Sequence, residues 1–218
     1  MCISIDVLFS VRVCLLAALS VSAAQVESVM RNCTTQTDLL ERLSADVKGA
    51  VECSADLPSV WTRQQSSALL LSMRNLTGLL HRHQLTDCQG AEPKKCPKPE
   101  VPSNGGLACV TVGNKRYCKP LCNFGYDFSF LRRSRLFEEC SERTGYKWET
   151  QFIGGNNLAV CNEATSQVSG SESAYFPKDQ DCLTTQSQLR DSFLQRLNAE
   201  LQVQGVQGQP KNACLVCG

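Results

Sequence analysis

The chain has 218 residues, 14 of them cysteine, and 22 lysines plus arginines stand against 21 aspartates plus glutamates for a formal net charge of +1. That balance excludes a global electrostatic pull toward nucleic acid. The length suits one or two small domains.

At the N-terminus Arg12 precedes an apolar run, Val13 to Val21, followed by small residues up to Ala24. This predicts a secretory signal over residues 1–24, cut before Gln25. The run is too short to span a bilayer, and no later stretch approaches that length. The C-terminus "PKNACLVCG" has no hydrophobic tail of the GPI type. A soluble, secreted product is expected. Removing the signal removes Cys2 and Cys14 and leaves twelve cysteines: Cys33, Cys53, Cys88, Cys96, Cys109, Cys118, Cys122, Cys140, Cys161, Cys182, Cys214 and Cys217. An even count in an oxidising compartment reads as a disulfide framework. The sequons at Asn32 and Asn75 suit the same route and predict a glycoprotein, with Asn75 the better acceptor because Asn32 adjoins Cys33.

The segment 25–93 predicts two helices. Leu39, Leu43, Val47 and Val51 recur at steps of four, with Thr35 or Thr37 as cap. Trp61, Leu69, Met73, Leu76 and Leu80 mark a second helix that runs to about His83, with Pro58 and Ser59 in its first turn.

The segment 94–162 changes character. Short apolar runs ("LACVTV", "FGYDF", "YKWETQF", "LAVC") read as strands between turn residues. Gly113–Asn114 predicts a two-residue hairpin, and glycine in first place suits type II′. Folding about it sets Val112 opposite Lys115, Thr111 opposite Arg116, Val110 opposite Tyr117 and Cys109 opposite Cys118. The cysteines then occupy a non-hydrogen-bonded site with Cα atoms roughly 4.5 Å apart, close enough for a cross-strand bridge. Zinc is not expected: the only histidines, His81 and His83, fall in a predicted helix and supply no second ligand pair. The single C-x-x-C, Cys214–Cys217, lies in the tail and does not open a helix, so a thioredoxin-type redox site is not expected either.

"CPKPEVPSNGG" from Cys96, "CNFGYDF" from Cys122, Cys140, "GYKW" ending at Trp148, and then Cys161 together resemble the sushi, or complement-control-protein, module. The resemblance covers under a third of the chain. It implies bridges Cys96–Cys140 and Cys122–Cys161 and a Trp148 packed between them in a small all-β core. The Cys109–Cys118 hairpin is an addition to the family pattern, and the interval from Trp148 to Cys161 is longer than usual.

Residues 163–181 have a Ser/Gly-rich start that reads as a linker, then Tyr175 and Phe176 as a packed anchor. In the segment 182–218, Leu189, Phe193, Leu197 and Leu201 form a third helical stripe that ends at the glycines before Pro210. Three cysteines remain before the module and three after it. If all bond within one chain, at least one bridge joins the two flanks. Cys33–Cys88 is one assignment, with Cys53 reaching Cys182 or the pair Cys214 and Cys217. The fold class expected is α+β: a disulfide-rich sushi-like β module between N-terminal and C-terminal helical segments that pack together. A monomer is favoured over a covalent dimer linked by the leftover cysteines.

The positive charge concentrates in the module. Lys94 to Thr150 holds eleven basic and six acidic residues, while the flanks each sum to −2. Arg132, Arg133 and Arg135, with Lys115 and Arg116 of the hairpin, form a candidate basic patch for a sulfated glycan or an acidic extracellular protein. "RRSR" also resembles a convertase site. There is no G-x-S-x-G and no H-E-x-x-H, so an enzyme is not expected, and neither is a cofactor. The sequence points to a secreted binding protein. The alternative is an oligomer-forming matrix component.

Overall fold

A computed structural model describes residues 36–53, 61–150 and 153–218. The predicted signal, Asn32 and Cys33 lie outside them. The chain divides into two units, Met1–Gln65 and Ser66–Gly218. The first holds helix α1 (Gln36–Glu52). Its stripe of Leu39, Leu43, Val47 and Val51 is exposed.

The second unit holds nearly all of helix α2 (Arg63–Gln84). A capping box starts α2. Thr62 N donates to Gln65 Oε1 at 2.9 Å, and Gln65 N donates to Thr62 Oγ1 at 3.3 Å. This helix buries none of its residues, and Leu69, Leu70, Leu71, Met73, Leu79 and Leu80 are all exposed. Within its own unit, α2 therefore contributes no buried residue to the helical core expected from the three stripes.

The core lies around a four-stranded antiparallel sheet of order β4-β2-β1-β6. Its strands are β1 (Gly105–Val112), β2 (Lys115–Cys122), β4 (Glu138–Cys140) and β6 (Lys211–Cys217). A separate ribbon pairs β3 (Tyr126–Phe128) with β5 (Cys161–Glu163). The β1–β2 register is the one expected, from Val112 opposite Lys115 to Cys109 opposite Cys118. The turn differs. Gly113 and Asn114 both have positive φ, +55° and +58°, which makes it type I′ rather than II′. Asparagine tolerates the left-handed region because its short amide side chain bonds locally. "YKWETQF" forms turns and irregular chain over its described residues, not a strand.

Every residue of β1 is buried. Ala108, Val110 and Val112, with Tyr117, Leu121 and Leu215, face helix α3 (Cys182–Val203) and its Phe193, Leu194, Leu197 and Leu201. Leu107, Cys109, Cys118, Cys214 and Val216 face the other way, toward Trp148 and Leu158. The third apolar stripe thus packs on the sheet. The tail read as an appendage is edge strand β6, paired along β1 from Gly106–Cys217 to Thr111–Lys211. Asp181 caps α3 by accepting from Thr184 N at 2.8 Å.

Five disulfides tie this unit: Cys88–Cys214, Cys96–Cys140, Cys109–Cys118, Cys122–Cys161 and Cys182–Cys217. Cys109 and Cys118 have Cα atoms 4.1 Å apart. Two assignments need correction. Cys88 joins Cys214, not Cys33, because a 3-10 turn (Leu85–Cys88) carries it from the end of α2 onto the sheet face of Cys214. Cys53 reaches none of Cys182, Cys214 and Cys217, and is an exposed free thiol. Trp148 packs with the Cys96–Cys140 and Cys109–Cys118 bridges, whereas Cys122–Cys161 belongs to a third cluster with Phe128, Ala159 and Tyr175.

Residues 163–181 are no linker. The buried Asp127 carboxylate accepts from Val168 N at 3.1 Å, Ser169 N, Ser169 Oγ at 2.8 Å, Phe128 N at 2.9 Å and the Tyr175 hydroxyl. Tyr175 and Phe176 are buried beside Ala174. Burial alone would raise the Asp127 carboxyl, but the donors from Tyr175, Ser169 and the backbone outweigh it and hold it below its ordinary 3.8.

A depressed folded pKa contributes stability that is fully present above the unfolded value, about 3.9, and is lost as pH falls through the lower folded value. Urea midpoints should therefore drop as pH is lowered from 5 to below 3. Asp127→Asn should flatten that drop; an equal drop in wild type and variant would contradict the assignment. A second outcome concerns Gly106, where an added Cβ would lie 2.6 Å from Cys182 Sγ and 2.9 Å from the Val216 carbonyl. Gly106→Ala should cost about 1–3 kcal/mol and yield free thiol from Cys182 and Cys217 in a thiol titration.

Candidate functional site

The segment from Leu85 to Val101 crosses one face of the sheet as a strap. Each part of it is pinned. Cys88–Cys214 and Cys96–Cys140 staple it covalently. Thr111 Oγ1 donates to the Glu92 carbonyl at 2.9 Å, Trp148 Nε1 donates to the Pro97 carbonyl at 2.9 Å, and Glu100 N donates to the Asn156 carbonyl at 2.8 Å. Three prolines, at 93, 97 and 99, restrict its backbone and remove donors that would otherwise need partners.

Between strap and sheet lies a cleft of about 300 Å³. Its walls are mostly apolar: Leu107 and Val216 from the sheet, Trp148 from the loop after β4, and Leu85, Val101 and the prolines from the strap. One buried charge reaches it, Arg116. Lys94, Lys98 and Glu92 stand at the exposed rim. Arg116 shares the face of Cys118 because the two are separated by one residue on β2.

The expected basic patch does not exist as a surface. Arg132 is buried, with Nη1 2.8 Å from Glu138 Oε1 and 3.1 Å from the Leu158 carbonyl. Arg135 holds the other oxygen of the same carboxylate at 2.6 Å. Arg116 is buried on the cleft side of β2. Only Lys115 and Arg133 are exposed, and Arg133 Nε donates to the Val168 carbonyl at 2.8 Å. Lys119, on the opposite face of β2, is fully buried with Nζ 2.6 Å from both oxygens of Glu200 and 2.9 Å from Ser173 Oγ. Of the eleven basic residues counted in the module, Lys119, Arg132 and Arg135 pair with carboxylates inside the fold, while Lys94, Lys95, Lys98, Lys115, Arg133, Arg143 and Lys147 are exposed. The "RRSR" stretch is held in the same way, since Arg132 N also donates to the Ser169 carbonyl at 2.6 Å.

Asn75 is exposed on α2. No helix among the described residues is long and apolar enough to cross a membrane, and no cluster of three or more His, Cys, Asp or Glu among them could hold a metal ion. Sequence reasoning missed the cleft, although one signal was present. Once Cys109 and Cys118 are bridged on one face, the period of two puts Arg116 on that face and Tyr117, Lys119 and Leu121 on the other.

Removing Arg132 would leave Glu138 buried with part of its compensation gone. Arg132→Ala should lower stability by about 3–5 kcal/mol in urea unfolding. Arg133→Ala should stay within about 0.5 kcal/mol. Equal effects would place both arginines at the surface.

Comparison with protein-family models, with curated proteins and with solved structures finds no match to this chain.

Proposed function

We propose that this is an extracellular binding protein: a sushi-like module, enlarged by a C-terminal helix and edge strand, that receives its ligand in the cleft beneath the strap. The observation that carries the reading is the construction of the cleft. It is small, walled by apolar groups, and its strap is fixed by two disulfides and a Trp148 hydrogen bond as well as by packing. Concave, preformed, mostly apolar sites with few polar groups are the usual form of a small ligand site. Covalent pinning removes ordering cost at the moment of binding. Five disulfides suit an oxidising compartment.

The ligand classes expected from sequence are a sulfated glycan and an acidic extracellular protein, both on the basic patch. The cleft instead suits an apolar group, free or carried on a partner protein. A sulfated glycan would find only Lys115 and Arg133 of the five residues proposed for it at the surface.

A matrix or oligomer-forming role is the second reading. It is favoured by the free thiol of Cys53 and by the exposed leucines of α1 and α2. Non-reducing electrophoresis of the secreted chain beside Cys53→Ser separates the two. A thiol-sensitive dimer that the substitution abolishes supports the oligomer.

For the cleft, the test is a fragment library screened against the oxidised chain by the Trp148 indole N–H resonance. Hits should move Trp148 together with the methyls of Leu107 and Val216. Hits confined to other surfaces would refute the cleft as the recognition site.

A further inference from the structure

Arg116 is a charge inside the fold with no opposite charge to meet it. Its Nη1 donates to Thr111 Oγ1 at 3.2 Å and to the Asn212 carbonyl at 2.7 Å, and its Nη2 lies 3.1 Å from Cys214 Sγ. All three acceptors are neutral, and a disulfide sulfur is a poor one. A guanidinium carries five N–H donors in a planar fork, so Nε and the second hydrogen on Nη2 have no partner among the described residues. Burial draws its pKa down to about 10.

The other cations turned inward behave differently. Lys119, Arg132 and Arg135 each meet a carboxylate within 2.8 Å. Buried charges are ordinarily paired, because an unpaired one forfeits its hydration without return. Glu92 is the one acidic residue in the cleft lining, but it is exposed, and its Oε2 accepts from Lys94 N at 3.3 Å.

Resting on the reading of the cleft as a recognition site, we infer that it takes a small monocarboxylate with an apolar body, Arg116 anchoring the carboxylate and Leu107, Val101, Trp148 and Val216 enclosing the body. Each half of this ligand answers a feature of the site. The apolar walls exclude a purely ionic ligand such as phosphate. The unanswered guanidinium gives a carboxylate an advantage over an alcohol of the same shape, since arginine–carboxylate pairing is charge-assisted and can use two parallel bonds. The volume of about 300 Å³ is at the lower end for small-molecule sites, which limits the body to a short chain or a single ring. Lys94 and Lys98 at the rim add a positive field that favours entry of an anion.

The test uses the oxidised full chain and three probes: sodium octanoate, 1-octanol and sodium acetate. Binding is read from the Trp148 indole resonance and by calorimetry. Octanoate should bind at the cleft, octanol at least about tenfold more weakly, and acetate not measurably. Arg116→Met should erase the preference for octanoate over octanol, and Arg116→Lys should restore part of it. The wild-type ratio decides the matter even where Arg116→Met does not fold. If octanol binds as tightly as octanoate with the Trp148 signal moved by both, the carboxylate inference falls and the cleft remains a recognition site. Octanoate that leaves Trp148 unmoved overturns the inference outright, while the fragment screen then judges the cleft on its own.

Discussion

Strand β1 runs through the interior with all eight of its residues buried, so it needs cover on two faces at once. One face receives helix α3, an ordinary layer packing of an apolar helical stripe on an antiparallel sheet. The opposite face receives no second helix. It is covered by an irregular, proline-rich strap, whose Leu85 and Val101 pack on the buried cluster around Trp148. Two disulfides and three hydrogen bonds tie it to the sheet and its loops as well. The rest of the unit follows from this division, including the place of β6 at the sheet edge and the hollow left where the strap does not fill the space beneath it.

Charge is organised by the same layers. Lys119 on the helix side of β2 reaches Glu200 of α3, and so ties the helix to the sheet through a buried ion pair. Arg132 and Arg135 share Glu138 on β4 and fix the long loop that follows β3. Asp127 gathers donors from the 168–169 backbone and from Tyr175, which converts a Ser/Gly-rich stretch into packed structure. The first two pair a desolvated charge with its opposite, and Asp127 is met by several neutral hydrogen-bond donors. Arg116 is the exception among the inward-facing cations of the sheet, and it is also the one that borders the cleft. The departure from pairing and the departure from close packing occur at one place, and that coincidence gives the strap side of the sheet its functional interest.

The helices preceding the strap have a different character. Their apolar stripes are as regular as that of α3, yet their leucines remain in contact with solvent. Helical periodicity states which residues share a face and not what that face meets. The capping box at Thr62 and Gln65 starts α2 locally and needs no tertiary partner.

What the amino-acid sequence by itself determined is local or covalent in origin. The hairpin register, the Cys109–Cys118 bridge, the apolar stripes of the helices and the burial of Tyr175 and Phe176 all follow from turn geometry, side-chain period and short-range pattern. Cys96–Cys140 and Cys122–Cys161 were legible only through resemblance to a family pattern of four cysteines. The tertiary structure alone decided the partners of Cys88 and Cys182, the insertion of the tail as β6 and the inward turn of Arg116, Lys119 and Arg132. The reason is physical. A composition counts charges without saying which way they point, and six leftover cysteines allow fifteen pairings that differ only in long-range geometry. Which face of a strand is covered, and by what, depends on residues a hundred positions away, and the cleft beside Arg116 exists only once the strap lies over the sheet.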